Sequence, residues 1–437
     1  MMSHKREASL WPRTLLWLIG LSGFFFFSYG LANHITSLRS DVGSVVFNWE
    51  HFIPLWSWTI VPYWSIDALY GLAILMACTR KELDTLGRRL LSAQVICVGC
   101  FLLFPLHFTF ERPHLDGFFG TLFDLLMGFD KPFNQAPSLH ITLLVILWVF
   151  YSQHIKGYWR WLLHGWFFLI GLSVLTTWQH HFFDVPTGVL AGCLCIWLWP
   201  DNSSSPLLAK AYPKQWKLFF IYTMVACINA LVSLYLGGLW LWLCWLSVAF
   251  LLVALNYAFF GAVGFQKQDN GRFSFPAFLL YTPYFIVAWV NSRLWTRNNN
   301  NADCVVGNVY LGRIPCPSTI NQYQFSGVVD LCAELPMTCY VERYRLIPVL
   351  DLTMPPISIF DEAVKAIDAY QQQGHVLVCC ALGYSRSAQA VLAWLLWSKH
   401  AATVKEALEI LKKARPTVVI SQVQQKNLEA WWATKHE

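Results

Sequence analysis

His375-Val376-Leu377-Val378-Cys379-Cys380-Ala381-Leu382-Gly383-Tyr384-Ser385-Arg386-Ser387 sets the fold of the C-terminal third of this chain. The run 375–379 is apolar and rich in valine, as a buried strand is, and Ala388 to Trp397 continues as an apolar helix. Strand, short loop and helix together make an anion-binding arrangement. Successive backbone N–H groups of a loop that opens a helix point at one spot, and the helix dipole adds positive potential there. The same field favours a thiolate, so Cys380 reads as a nucleophile. Arg386, six residues on, returns beside the sulfur and can grip two oxygens of a phosphate-sized anion. Ala381, Leu382, Gly383, Tyr384 and Ser385 supply the backbone of the cradle. A Cys-x5-Arg spacing alone is a weak signal; its place between strand and helix makes it a strong one.

Around this loop the pattern is that of an α/β domain. Strand candidates at 308–312, 327–332, 345–350 and 375–379 alternate with helix candidates at 358–373, 387–399, 403–414 and 421–434. The domain is expected over 304–437, behind a polar, Asn-rich linker at 296–303.

The first 295 residues are of another solvent class. The whole 437-residue chain is 56% hydrophobic and 13% charged, with a mean hydropathy of +0.44, too apolar for a soluble protein of this size. Uncharged runs at 14–32, 53–78, 90–108, 138–154, 161–179, 185–200, 216–236 and 238–260 each approach the ~20 residues that cross a bilayer. With the N-terminus, including Lys5 and Arg6, in the cytoplasm, alternate loops carry Arg80, Lys81, Arg88 and Arg89, then Lys156 and Arg160, then Lys210, Lys214 and Lys217, then Lys267 and Arg272. That is the positive-inside pattern. The net charge of +6 therefore reads as membrane orientation, and no nucleic-acid partner is expected. A further apolar stretch, 273–291, is interrupted by Pro276 and Pro283 and is expected either to lie in the interface or to form a ninth span. The interfacial reading leaves the thiolate in a reducing, cytoplasmic compartment. The 13 cysteines show no zinc spacing, and no metal or other cofactor is expected.

The loop resembles that of the dual-specificity branch of the protein tyrosine phosphatase superfamily, written His-Cys-x2-Gly-x2-Arg-Ser/Thr. Asn308 to Gly312 looks like that family's opening strand, and Ile347-Pro348-Val349-Leu350-Asp351 like the strand that carries its general acid. The resemblance implies that Cys380 attacks phosphorus, Asp351 protonates the leaving oxygen, and Ser387 helps expel the thiolate when water cleaves the phosphocysteine. Cys379 stands where the family has histidine. Ala381, Leu382 and Tyr384 put no lysine in the loop, which fits a phosphoprotein or a singly phosphorylated lipid as partner.

Three fragments of the apolar part, Arg112-Pro113, Pro137-Ser138-Leu139-His140 and His180-His181-Phe182-Phe183-Asp184, resemble motifs of the type 2 phosphatidic acid phosphatase (PAP2) superfamily over about 53–200. The topology puts all three on the outer face. The resemblance implies His180 as nucleophile oriented by Asp184, His140 as leaving-group acid, and Arg112 with Ser138 as phosphate holders. His180 and Asp184, four apart, are expected on one helix face. Pro105, Leu139 and Val174 replace the family's lysine, glycine and arginine. The Pro-Ser-Leu-His form also resembles lipid head-group transferases. The whole chain resembles a bacterial family of fused PAP2-like and dual-specificity phosphatases, which implies a multi-pass protein of the cytoplasmic membrane. A head-group phosphotransferase and a non-catalytic phospho-ligand sensor remain alternatives; the oligomeric state is not legible.

Overall fold

In a computed structural model, which describes residues 7, 9–209 and 213–435, the chain divides into two compact units, Met1–Ser205 and Pro206–Glu437. Lys5, Arg6 and Lys210 of the expected charge pattern lie outside the described residues.

The first unit is helical: α1 (Trp11–Ser37), α2 (Ile60–Met76), α3 (Arg80–Leu103), α4 (Gly117–Phe129), α5 (Leu139–His154), α6 (Trp159–Thr176) and α7 (Asp184–Leu198). Helix α5 is the hub, packing against α2, α3, α6 and α7. Its contact with α7 is close because α7 presents Gly188, where a Cβ would stand 2.8 Å from Ile141 Cβ and from the Ser138 carbonyl oxygen. That approach brings the start of α5 to the start of α7, and Ser138 N–H donates to the Asp184 carbonyl at 3.2 Å. Two elements differ from expectation. Helix α3 begins at Arg80, since the Thr79 hydroxyl accepts from Glu82 N–H at 3.2 Å and caps it there, so the four cations placed in a loop at 80–89 are helical. Helix α4, whose glycines and single carboxylate mask its periodicity, had no counterpart in the sequence reading.

The second unit opens with three apolar helices, α8 (Trp216–Leu236), α9 (Leu243–Leu255) and α10 (Phe275–Trp295). Helix α10 runs unbroken across most of the stretch 273–291, with Pro283 inside it. Among the described residues, five helical stretches could cross a membrane by length and composition alone: Trp11–Ser37, Ser57–Met76, Arg80–Leu103, Trp216–Leu236 and Gly238–Phe265.

The α/β part follows as β1 (Ala302–Val306), β2 (Val309–Arg313), α11 (Pro317–Tyr323), β3 (Gly327–Cys332), β4 (Arg343–Val349), α12 (Ser358–Gln371), β5 (Val376–Cys380), α13 (Arg386–Trp397), α14 (Val404–Ala414) and α15 (Gln422–Ala433). The sheet order is β1-β2-β5-β3-β4, with β1 antiparallel and all other pairs parallel. The all-buried strands β3 and β5 lie inside it, as continuous apolar runs do in parallel sheets. Alternation along β5 sends Val376, Val378 and Cys380 into the core shared with α12 and α13, and Leu377 and Cys379 into a second core on the other face. The expected linker 296–303 is structured: β1 starts at Ala302, and Asn299, Asn300 and Asn301 all hydrogen-bond within the unit. The units divide at Ser205, so α8–α10 pack with the α/β part.

Candidate active sites

Cys380 ends the central strand and Arg386 opens α13, so residues 381–385 form a tight turn over the N-terminus of a 12-residue helix. Such a turn can cradle an anion only if its N–H groups face inward and its carbonyls outward, which leaves the carbonyls in need of donors. They find them outside the loop. Ser292 Oγ donates to the Ala381 carbonyl at 2.6 Å, Arg415 Nη2 to Leu382 at 3.3 Å, and Arg415 Nε to Gly383 at 3.2 Å. On the inner side Gly383 N–H points at Cys380 Sγ at 3.3 Å, and the Ser387 hydroxyl at 3.2 Å. Gly383 has a φ of 75°, and a Cβ there would stand 2.5 Å from the Gly312 carbonyl, so only glycine fits. Tyr384 and Ser385 turn outward: the Tyr384 hydroxyl donates to the Trp295 carbonyl at 2.9 Å, and Ser385 Oγ accepts from Gln424 Nε2 at 3.0 Å.

Arg386 is buried and engaged through both Nη atoms, while its Nε has no partner among the described residues. Nη1 and Nη2 hold the two carboxylate oxygens of buried Glu334 at 2.8 and 2.5 Å, Nη1 also reaches the Val349 carbonyl at 2.8 Å, and Nη2 stands 3.1 Å from Asp351. Asp351 follows β4, as the sequence placed it. Loss of water around its carboxyl raises its pKa above the ordinary carboxylate value; the Arg386 charge opposes this and nearby Glu334 adds to it. A raised pKa suits a proton donor. Asp351, Cys380 and Arg386 line one cavity of about 440 Å³ with Leu352, Tyr384, Val419 and Gln424.

The structure thus brings together Cys380, Arg386, Asp351, Ser387 and the 381–385 loop. Glu334, Arg415, Gln424 and Ser292 were missed, being single polar residues distant in sequence with no motif of their own. Cys379 is buried against the opposite face from Cys380, and burial pushes its thiol well above the usual range.

In the first unit, His180 Nδ1 lies 3.1 Å from Asp184 Oδ2 and His180 Nε2 lies 3.0 Å from Ser138 Oγ, giving a Ser138–His180–Asp184 chain. The pairing does not use one helix face: α7 starts at Asp184, and His180 sits in the turn before it, where His181 N–H also donates to Asp184 at 3.0 Å. His140 stacks on Tyr63 with ring centroids 4.1 Å apart, and its Nε2 has no partner among the described residues. His140 and His180 share a cavity of about 570 Å³ whose walls include Tyr63, Asp67 and Asp130. Arg112 is not on that wall; it donates to the Trp178 carbonyl at 3.1 Å, and its guanidinium lies over the Phe123 ring. Asp67, Asp130 and the buried Glu50, which pairs with His181 at 2.9 Å, were missed.

Residues 309–433 match the family model described as dual specificity phosphatase, catalytic domain. Dual specificity protein phosphatase 1 of Arabidopsis thaliana is 32% identical over 126 residues, covering 28% of this chain and 63% of that protein. Dual specificity protein phosphatase 2 of Mus musculus is 42% identical over 116 residues, covering 25% of this chain and 36% of that protein. The chain thus spans less than two thirds of the length of these relatives. The crystal structure of Tk-PTP in the active form is 28% identical with a TM-score of 0.28, covering 30% of this chain and 97% of that one. The C-terminal α/β region is a domain of the dual-specificity phosphatase type.

Proposed function

We propose that this chain is a membrane-bound phosphomonoester hydrolase with Cys380 as its nucleophile. The observation that carries the reading is the cradle. One sulfur sits inside a loop whose Gly383 N–H faces it and whose carbonyls are capped from outside, with Arg386 on one side and Asp351 on the other. In the first step the Cys380 thiolate attacks phosphorus. The P–S bond forms, the bond to the leaving oxygen breaks, and Asp351 gives that oxygen its proton. Arg386 and the loop N–H groups hold the three equatorial oxygens, where charge spreads in the transition state. In the second step water attacks the phosphocysteine, Asp351 takes the water's proton, and the P–S bond breaks. The Ser387 hydroxyl, 3.2 Å from the sulfur, stabilises the departing thiolate.

Helices long and apolar enough to cross a bilayer support a location in the cytoplasmic membrane, and a thiolate nucleophile supports the Cys380 domain on the reducing side. Substrates are phosphoproteins or phospholipid monoesters. A second, lipid phosphate site is favoured in the first unit by the Ser138–His180–Asp184 chain at the wall of an apolar cavity that also holds His140. There His180 is the nucleophile, with head-group transfer as the alternative outcome of the same chemistry.

The test is hydrolysis of an aryl phosphate by the purified full chain in the presence of a metal chelator. Turnover that vanadate inhibits and that Cys380→Ser abolishes supports the assignment; undiminished turnover in Cys380→Ser refutes it. A reporter fused after Glu437 that is active only when exported would refute the cytoplasmic placement.

A further inference from the structure

We infer that the Cys380 site takes its phosphate from a lipid monoester drawn from the surface in which α8–α10 sit, an inference that rests on the membrane-bound phosphatase reading above. Both halves of the catalytic apparatus are bonded to the apolar helices. On the cradle side, Ser292 of α10 donates to the Ala381 carbonyl at 2.6 Å, and Tyr384 donates to the Trp295 carbonyl, the last residue of α10, at 2.9 Å. On the acid side, the Tyr257 hydroxyl, in the turn 256–260 that follows α9, donates to the Asp351 backbone carbonyl at 3.2 Å. Cradle and acid are therefore held at a fixed level beside the ends of α9 and α10. The Ser292 bond shapes the cradle for any phosphate; what the three bonds add together is a site standing beside apolar helices, where a substrate anchored in the same lipid layer would be presented.

The mouth of the cavity has the matching chemistry. Leu352 is 74% exposed and Val419 66% exposed, and both line the cavity. Leu352 holds a left-handed φ of 56°, strained for a leucine, which sets its apolar side chain at the mouth directly after Asp351. Phe259, 46% exposed, lies in the same segment 256–260 as Tyr257 and packs against Trp216 and Phe219 of α8. Among the described residues Arg386 is the only Lys or Arg lining the cavity. One cation at the floor and apolar side chains at the rim suit one monoester phosphate on an apolar body. Thr353, Ser421 and Gln424 leave polar groups beside that rim, but the acidic flanks of a phosphopeptide would find no second cation among the lining residues.

The experiment uses the full chain in nanodiscs in a His180→Ala background, so that turnover reports Cys380 alone, with Cys380→Ser as the blank. Three substrates are compared: phosphatidic acid incorporated in the phosphatidylcholine of the same nanodiscs, glycerol 3-phosphate, and a tyrosine-phosphorylated peptide, with an aryl phosphate as the measure of intact chemistry. The expectation is that phosphatidic acid is preferred over glycerol 3-phosphate, which has the same head group without acyl chains, and over the peptide. The double variant L352N/V419N, in which asparagine tolerates the left-handed backbone at the first position, should lower the ratio of phosphatidic acid to aryl phosphate turnover by roughly tenfold or more. Preference for the peptide, equal use of phosphatidic acid and glycerol 3-phosphate, or an undiminished ratio in the double variant would overturn the inference. Absence of aryl phosphate turnover in the parent would instead refute the phosphatase reading itself.

Discussion

Replacing Glu334 by glutamine should disarm Arg386 while leaving every catalytic residue in place. Arg386 makes two contacts to Glu334, at 2.8 and 2.5 Å, one to the Val349 carbonyl and one to Asp351. Both partners of the main pair are buried. Glutamine keeps the shape and one acceptor, but its amide N–H groups face the guanidinium N–H groups. One charge-assisted hydrogen bond is worth ~1.5–3 kcal/mol, and breaking a buried ion pair from one side costs ~3–5 kcal/mol. A loss near ~3 kcal/mol in stability is therefore expected, read as a lower denaturation midpoint of the C-terminal unit. The catalytic effect has two parts. Arg386 loses the orientation that presents its two N–H groups to phosphate, worth ~10²-fold in kcat/KM for a misplacement of this kind. Its charge is then shared chiefly with Asp351, and the direct push of Glu334 on Asp351 is gone, so the Asp351 pKa should fall. Because the acid must be protonated to act, the alkaline limb of the pH–rate profile should move to lower pH. Steady-state kinetics on an aryl phosphate across pH, with thermal denaturation, measure all three. A Glu334→Gln enzyme within about twofold of the parent, with an unmoved alkaline limb, would refute the reasoning.

Asp351→Asn should slow turnover by ~10²–10⁴-fold and abolish the alkaline limb that the parent shows as pH rises through the raised Asp351 pKa, measured with a poor leaving group. Gly383→Ala should cost stability and turnover together, since the left-handed backbone alone costs ~1–2 kcal/mol and the added Cβ meets the Gly312 carbonyl at 2.5 Å; denaturation and kinetics check it. In a Cys380→Ser background, His180→Ala should remove lipid phosphate turnover by the first unit, followed as phosphate release from vesicles, while His180→Ala alone leaves aryl phosphate turnover unchanged.

The strand, loop and helix around Cys380 were legible because their determinants are contiguous: a valine-rich strand, Cys380, the glycine the turn requires, and Arg386 at the helix start. Asp351 was legible because it follows a strand that periodicity reveals. What holds these residues was not. Glu334 and Arg415 are lone charged residues whose partners lie 52 and 32 positions away, and such pairings arise only from the order of strands in the sheet. The Asn-rich run looked like a linker because polarity marks loops, yet its amides are spent on Tyr384, Asp303 and Arg313. The split of the chain at Ser205 was hidden for a related reason. Apolar helices look alike in composition whichever unit they pack with, and only tertiary contacts, such as the hydrogen bonds of Tyr257 and Ser292, the packing of Trp289 and the buried Lys267–Asp330 pair, tie α8–α10 to the second. In the first unit the residue types suggested His180 with Asp184, which stand 3.1 Å apart, while Ser138, expected to hold phosphate, lies 3.0 Å from His180. The helix-face spacing did not hold, because the backbone turns between His180 and Asp184 before α7 begins.

The central claim is that Cys380 carries the phosphoryl group between the two steps. The most direct measurement mixes the full chain with excess aryl phosphate, quenches in acid and locates phosphate on the digested protein by mass spectrometry. A phosphocysteine on the peptide containing Cys380, absent in Cys380→Ser, is the expected result. Turnover with no phosphate on that peptide, or phosphate on another residue at the same stoichiometry, would contradict it.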